Sequence, residues 1–418
     1  MSLIFGYEKF QDNGDPFPNA FEADIKNHIS PINLGWAGYE YPDPSNITDY
    51  DFVNKQRTFP LLFPTQSMRL SEWFDIQVKD VEEIKEKYYY IIDVYPHSFW
   101  ETKEARYPKI SSQAISDIKN GKSKILILFC NEGLNPIIHD APSILNTWAA
   151  NYNLPPGSII LSSGNYSYGH YLKKEKCIKY IPFSVWEYNI KHHCNSKKIE
   201  IFEKFIINRR KRSKIYLCYN RRARIHRFDL VYKLKERKIL EKGFVSLGDD
   251  LCFDIKTRPN IPKDFLDSLP MTFDERDLSV NQAGSFVAKD FLNSYVSVIT
   301  ETWTNEDRVF PSEKIFKPII ALHPFLVIAS PGFLKHLEDV GYKTFSEWFD
   351  QSYDTEMNMD VKIEKVFNEI KRLCSFSEEQ LQNMLIEMLP ILKHNVNNFI
   401  ERTTNKWFQK ELEEELWK

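Results

Sequence analysis

Apolar residues in this chain fall into short, nearly unbroken runs separated by stretches with helical spacing. Lys124-Ile-Leu-Ile-Leu-Phe-Cys130 and Lys214-Ile-Tyr-Leu-Cys-Tyr219 show the pattern, as does Tyr295-Val-Ser-Val-Ile-Thr300. Runs with so few polar positions suit strands buried on both faces. Tyr88–Val94, Ser158–Ser162, Phe244–Leu247 and Phe325–Ala329 read the same way. Between them the spacing predicts helices over Ser111–Asn120, Ala141–Tyr152, Arg227–Lys238, Ser285–Asn293, Glu313–Leu322 and Gly332–Val340. Such alternation predicts an α/β protein with parallel sheets covered on both faces.

Three stretches depart from this rhythm. Residues 1–75, rich in Pro, Gly, Asn and aromatics, read as loops and short strands laid over a domain surface. The charged stretch 197–214 reads as a passage between two α/β halves. Residues 360–374 and 377–415 are helical by pattern, with Ser377-Glu-Glu-Gln380 as a capped start. The expected organisation is an N-terminal α/β domain with a loop-rich start over 1–205 and a second α/β domain over 206–355. C-terminal helices over 356–418 would pack back on the body.

Composition narrows the function classes. A chain of 418 residues is too long for one ordinary core. Its 42% hydrophobic and 14% aromatic content excludes a disordered chain. The net charge of −3 excludes a general polycation, so nucleic acid would need a local patch. Six scattered cysteines, with no CxxC, favour reduced thiols and a reducing compartment. The start shows no basic segment leading into an apolar one, and the apolar stretch 318–334 is broken by His323, Pro324, Pro331 and Gly332. The expectation is a cytoplasmic protein without a membrane span.

Two constellations carry candidate chemistry. Ser312-Glu313-Lys314 opens a helix soon after a buried strand, where free N–H groups and a Lys attract phosphate and a Glu accepts from sugar hydroxyls. Asn220-Arg-Arg-Ala-Arg-Ile-His-Arg227 follows another strand and places four Arg in eight residues at its mouth. Guanidinium forks suit phosphate. The segment 209–227 also reads as a nucleic-acid patch, with Tyr216 and Tyr219 among its bases. Metal signals are weak. His192-His193-Cys194 are consecutive, and Asp49-Tyr-Asp51 lies in a loop-rich segment.

The run from Lys214 to Lys343 resembles the donor-binding half of GT-B glycosyltransferases, especially α-1,3-fucosyltransferase-like enzymes. It also resembles glycosyltransferase-like proteins of phages and large DNA viruses. The residues that carry this likeness are Asn-Arg-Arg-x-Arg-x-His-Arg227, Ser312-Glu-Lys-x-x-Lys-Pro318, Gly341-Tyr-Lys-Thr-Phe345 and Ser352-Tyr-Asp354. The resemblance implies two Rossmann-like domains facing a cleft and transfer of a sugar from a nucleotide-sugar to an acceptor hydroxyl. The donor would be a GDP- or UDP-sugar, used as substrate without cofactor or metal, and the acceptor a glycan or other hydroxyl. It further implies that Lys314 neutralises the pyrophosphate, Glu313 accepts from ribose, and Arg224 or Arg227 holds the other phosphate. Asn220, Arg222, Glu301 and Ser312 complete the implied donor set. A sugar-nucleotide epimerase, a viral DNA-base glycosyltransferase and a nucleic-acid-binding protein are the alternatives.

An inverting reaction needs a base for the acceptor hydroxyl. Glu132, in a Gly-containing turn after the strongest N-terminal strand, is the first candidate. Asp140 at a helix entrance is second and Asp93 at a strand end third. Trp36, Tyr39 and Tyr41 are candidate stacking surfaces for the acceptor.

Overall fold

The computed structural model describes residues 3–7, 70, 73–93, 110–129, 141–172, 178–251, 255, 261–272, 286–304 and 308–418. It forms two compact units, Met1–Val185 with Asn405–Lys418, and Trp186–Thr404. The division falls twenty residues before the expected 205/206 boundary, because the helix at 196–207 packs inside the second unit.

The first unit is built on six parallel strands. These are β1 Leu3–Tyr7, β2 Ile76–Asp80, β3 Tyr88–Asp93, β4 Ser123–Phe129, β5 Ile159–Ser163 and β6 Ile178–Tyr180, in the order β2-β1-β3-β4-β5-β6. Helices α1 Ser112–Lys119, α2 Ala141–Asn151 and α3 Gly169–Leu172 accompany them. Tyr88, Tyr90 and Ile92 alternate into one core with Ala114 and Ile118 of α1 and Leu145 and Trp148 of α2. Tyr88 keeps its hydroxyl satisfied there by donating to Asp117 Oδ2 at 3.0 Å. Contrary to the expectation of a surface cover, Leu3–Tyr7 is an interior strand, paired with β2 and β3. Its apolar run is short but is flanked on both sides by strands that bury it.

The second unit holds α4 Val185–Lys191 from Trp186 on, α5 Ser196–Ile207, β7 Lys214–Cys218, α6 Ile225–Glu236 and β8 Gly243–Val245. It continues through α7 Lys263–Asp267, α8 Ala288–Leu292, β9 Ser294–Thr300, α9 Glu313–Ile320, β10 Phe325–Ile328, α10 Phe333–Asp339, α11 Met359–Leu373 and α12 Glu378–Thr404. Its four strands are parallel in the order β8-β7-β9-β10. In both sheets the first strand lies between the second and third, so the winding direction reverses there. Such reversals open a crevice beyond the strands' carboxyl ends. In the second unit that crevice lies past β7 and β9.

The charged stretch expected to join the halves is internal to the second unit. Phe202 and Ile206 are buried, and Arg212 lies in the core, donating to Phe291 O and Ser294 O at 2.8 Å each. The capped start at Ser377 is present as a reciprocal pair. Gln380 N donates to Ser377 Oγ at 3.2 Å, and Ser377 N to Gln380 Oε1 at 2.8 Å.

The long terminal helix expected over 377–415 is two helices. Lys406 takes a left-handed φ of 53°, and Asn405 Oδ1 accepts from Trp407 N at 3.0 Å to start α13 Trp407–Trp417. With that break the chain rejoins the first unit. Phe408 of α13 stacks on Phe183 with ring centroids 4.1 Å apart, and Tyr89 donates to Leu412 O at 2.6 Å. Lys124 donates to Glu415 O, and Lys179 pairs with the Glu415 carboxylate. Cations at a helix carboxyl end complement its dipole.

Among the described residues no helix is long and apolar enough to cross a membrane.

Phe408 is fully buried, so Phe408→Ala should destabilise the first unit by about 3–5 kcal/mol in denaturant unfolding. A loss below about 1 kcal/mol would show that α13 rests lightly on that sheet.

Candidate functional site

The site is assembled from the two chain segments that leave the reversal point of the second sheet. The first follows β7. Asn220 is fully buried there and its side chain is used inside the protein. Thr300 Oγ1 donates to its Oδ1 at 2.5 Å, and its Nδ2 donates to Cys218 Sγ at 3.2 Å. Its backbone N donates to Ser246 Oγ at 3.1 Å, and its carbonyl accepts from Gly248 N at 3.0 Å. Asn220 therefore joins the ends of β7, β8 and β9, a framing position and not the ligand-facing one expected of it.

Arg224 occupies the N-cap position of α6 without making a side-chain cap bond. Its guanidinium lies half-buried, with Nη1 at 3.4 Å from Thr302 O. Arg222 points outward and pairs loosely with Asp250 at 3.6 Å, both exposed. Arg227 is buried. Its Nη2 donates to Thr300 O at 3.0 Å, while its buried Nε has no acceptor among the described residues. Burial, reinforced by Arg224, lowers the Arg227 pKa to about 10, which still leaves it charged at neutral pH. His226 sits with Nε2 at 2.9 Å from Glu301 O. Burial and then Arg227 pull its pKa down to about 3, so the ring is neutral and donates to that carbonyl. A helix start favours negative charge, yet this one gathers two arginines. That arrangement suits an incoming anion.

The second segment follows β9. Glu301 is fully buried, and its oxygens accept from Ser312 N at 3.2 Å and Ser312 Oγ at 2.6 Å. Burial raises its pKa, and Lys314 acts in the opposite direction. Glu301 thus holds the start of α9 from the sheet; the sugar or base contact expected of it is not the use its oxygens have here. Ser312 caps α9, accepting from Lys314 N at 3.3 Å. Lys314 Nζ lies 2.9 Å from Glu313 Oε1, 3.0 Å from Ser312 Oγ and 3.9 Å from Glu301 Oε2, and the side chain keeps 24% of its exposure. For Glu313, burial raises the pKa, but the joint pull of Lys314 and Lys317 prevails and sets it at about 2. Lys317 is buried on the same helix, and burial lowers its pKa to about 8 against the pull of Glu313.

Two residues that sequence reasoning passed over belong to this edge. Trp303 follows Glu301 by two positions, and the Arg308 guanidinium lies 3.6 Å from its ring centroid. Arg224 approaches the same ring at 5.5 Å. The signal was a Trp and an Arg five positions apart. Two helix starts and the cations of Arg224, Arg227, Arg308, Lys314 and Lys317 thus converge beside two carboxylates, Glu301 and Glu313. Polyanion binding is the chemistry this set offers.

Several expectations fall elsewhere. Glu132, Asp140, Asp49, Asp51, Trp36, Tyr39 and Tyr41 lie outside the described residues, and Asp93 is the last residue of β3. Among the described residues no three His, Cys, Asp or Glu side chains group to hold a metal. A cavity of about 450 Å³ beside α5 and α12, lined by Lys191, Cys194, Ile199, Ile400 and Thr404, contains none of the residues above. Its Cys194 thiol is pushed up to about 11 by burial, which disfavours a nucleophilic thiolate. No family model, curated protein or solved structure matches this chain.

The Glu313 pKa yields a pH prediction with a definite sign. Its folded value of about 2 lies below the reference 4.5, so its stabilisation is complete above about 4.5 and is lost as pH falls toward 2. Glu313→Gln should flatten that acid limb and lose on the order of 3 kcal/mol at neutral pH, as measured by denaturant unfolding across pH. An acid limb identical to that of the unsubstituted chain would contradict the pairing with both lysines.

Proposed function

We propose that this chain is a GT-B-type glycosyltransferase that moves a sugar from a nucleotide-sugar to an acceptor hydroxyl. The observation that supports this best is the convergence of Arg224 and Lys314, both partly exposed, at the carboxyl edge of β7 and β9. A nucleoside diphosphate gains negative charge as its bond to the sugar breaks. Cations fixed in advance stabilise that charge more in the transition state than in the ground state. On this reading Lys314 and Arg224 neutralise the leaving diphosphate, and the α6 and α9 starts add their N–H dipoles. Arg227 contributes its charge from beneath, through a guanidinium already bound to the Thr300 carbonyl. Lys314 starts the reaction cycle resting on Glu313, so the arriving diphosphate competes with that carboxylate for the ammonium. Transfer also needs a base that takes the proton of the acceptor hydroxyl.

The nucleic-acid reading is disfavoured by how the basic segment is used. Arg209 donates to Asn383 Oδ1 at 2.6 Å, Lys211 pairs with Glu378 at 3.6 Å, and Lys214 donates to Glu241 O at 2.7 Å. Arg212, in the middle of the segment, is in the core, where it donates to Phe291 O and Ser294 O. Arg209 and Lys211 stay exposed, so the basic stripe is interrupted at Arg212, where a continuous phosphate-tracking stripe would need an outward cation.

A thermal-shift panel of UDP, GDP, CMP and dTDP tests the reading. One nucleotide at about 100 times its Kd should add about 2.7 kcal/mol of stability. Steeply salt-dependent binding of DNA or RNA, without any nucleotide response, would overturn the proposal. Lys314→Ala should lower turnover on the matching activated sugar about a hundredfold when assayed at a temperature where the variant remains folded, its melting temperature falling with the loss of the Glu313 pairing. Near-normal turnover would remove Lys314 from its assigned role.

A further inference from the structure

We infer that Trp303 is a positioning residue for the phosphate-binding arginine, Arg224, an inference that rests on the anion site proposed above. Arg224 is a long side chain at the N-cap of α6, and its guanidinium approaches Thr302 O at 3.4 Å, the long end of a hydrogen bond. A guanidinium on such a stem loses considerable freedom on meeting a ligand, which weakens binding unless something orders it beforehand. The ring of Trp303, 5.5 Å from that guanidinium, supplies a broad cation-attracting surface one residue beyond Thr302. The ring is itself held. Arg308, which is 95% buried, lies against it at 3.6 Å, a van der Waals stacking distance. The Arg308 backbone is held by Ser330 Oγ, which donates to its carbonyl from the end of β10, and burial confines the side chain. The order therefore runs from the sheet through Ser330 and Arg308 to the indole, and from the indole to Arg224. It links the loop after β9 to the start of α6, the two segments that form the anion edge. Arg224 meets the ligand; Trp303 acts through it.

A double-mutant cycle with inorganic pyrophosphate separates positioning from mere packing. Affinity is measured by titration calorimetry on the full chain, unsubstituted and as Arg224→Met, Trp303→Leu and the double variant. Trp303→Leu should weaken binding about three- to thirtyfold, and Trp303→Phe should recover most of the loss. In the Arg224→Met background, adding Trp303→Leu should change affinity by less than about twofold. If Trp303→Leu does not fold, Arg308→Met, which removes the guanidinium holding the ring, takes its place in the same cycle. Unchanged affinity in the single variant, or an equal loss in both backgrounds, would overturn the inference while leaving the anion site standing. If the unsubstituted chain fails to bind pyrophosphate, or Arg224→Met binds it as tightly, the anion site falls and the inference falls with it.

Discussion

Glu301 stands directly after β9, and its buried carboxylate accepts two hydrogen bonds from Ser312 at the start of α9. Its carbonyl accepts from His226 in the first turn of α6. One residue thus fixes both helix starts relative to the sheet. A buried carboxylate left without donors is costly, so the Ser312 cap and the strand end hold each other in place. Everything proposed for the edge depends on this. Lys314 is where it is because α9 begins at Ser312, and Arg224 is where it is because α6 begins beside Glu301.

Around that anchor the basic residues divide into two groups. Arg212, Arg227 and Lys362 are spent on backbone carbonyls, with Lys362 donating to Ala329 O at 2.7 Å past the end of β10. These carbonyls lie at or near strand ends, where the sheet ladder no longer supplies donors. Arg224 and Lys314 keep partial exposure. A carboxyl edge built this way gains its positive potential from buried structural cations and its ligand contacts from a smaller exposed set. The Asp354 of Ser352-Tyr-Asp354 has a comparable structural use, since it accepts from Leu334 N at 2.8 Å and Lys335 N at 3.3 Å at the start of α10.

Much of this fold was legible because its signals are local. The apolar runs marked β4, β5, β7, β9 and β10, and the Ser312 and Ser377 caps marked two helix starts. Leu3–Tyr7 was missed because a five-residue run without periodicity declares itself only through partners that arrive more than seventy residues later. The break at Lys406 was missed because a left-handed lysine leaves no mark in the pattern of apolar positions. The candidate site was legible in its residue types and not in their directions. Asn220 and Arg227 have the chemistry of ligand groups, and the chain turns both inward. Trp303 and Arg308 meet in space, which their spacing of five positions in the sequence does not announce.

The helix α13 has a consequence for the order in which the molecule is made. Its phenylalanine at 408 and the carbonyl of Leu412 meet a sheet whose strands are all synthesised by residue 180. On the ribosome these contacts form only after the entire second unit has been made.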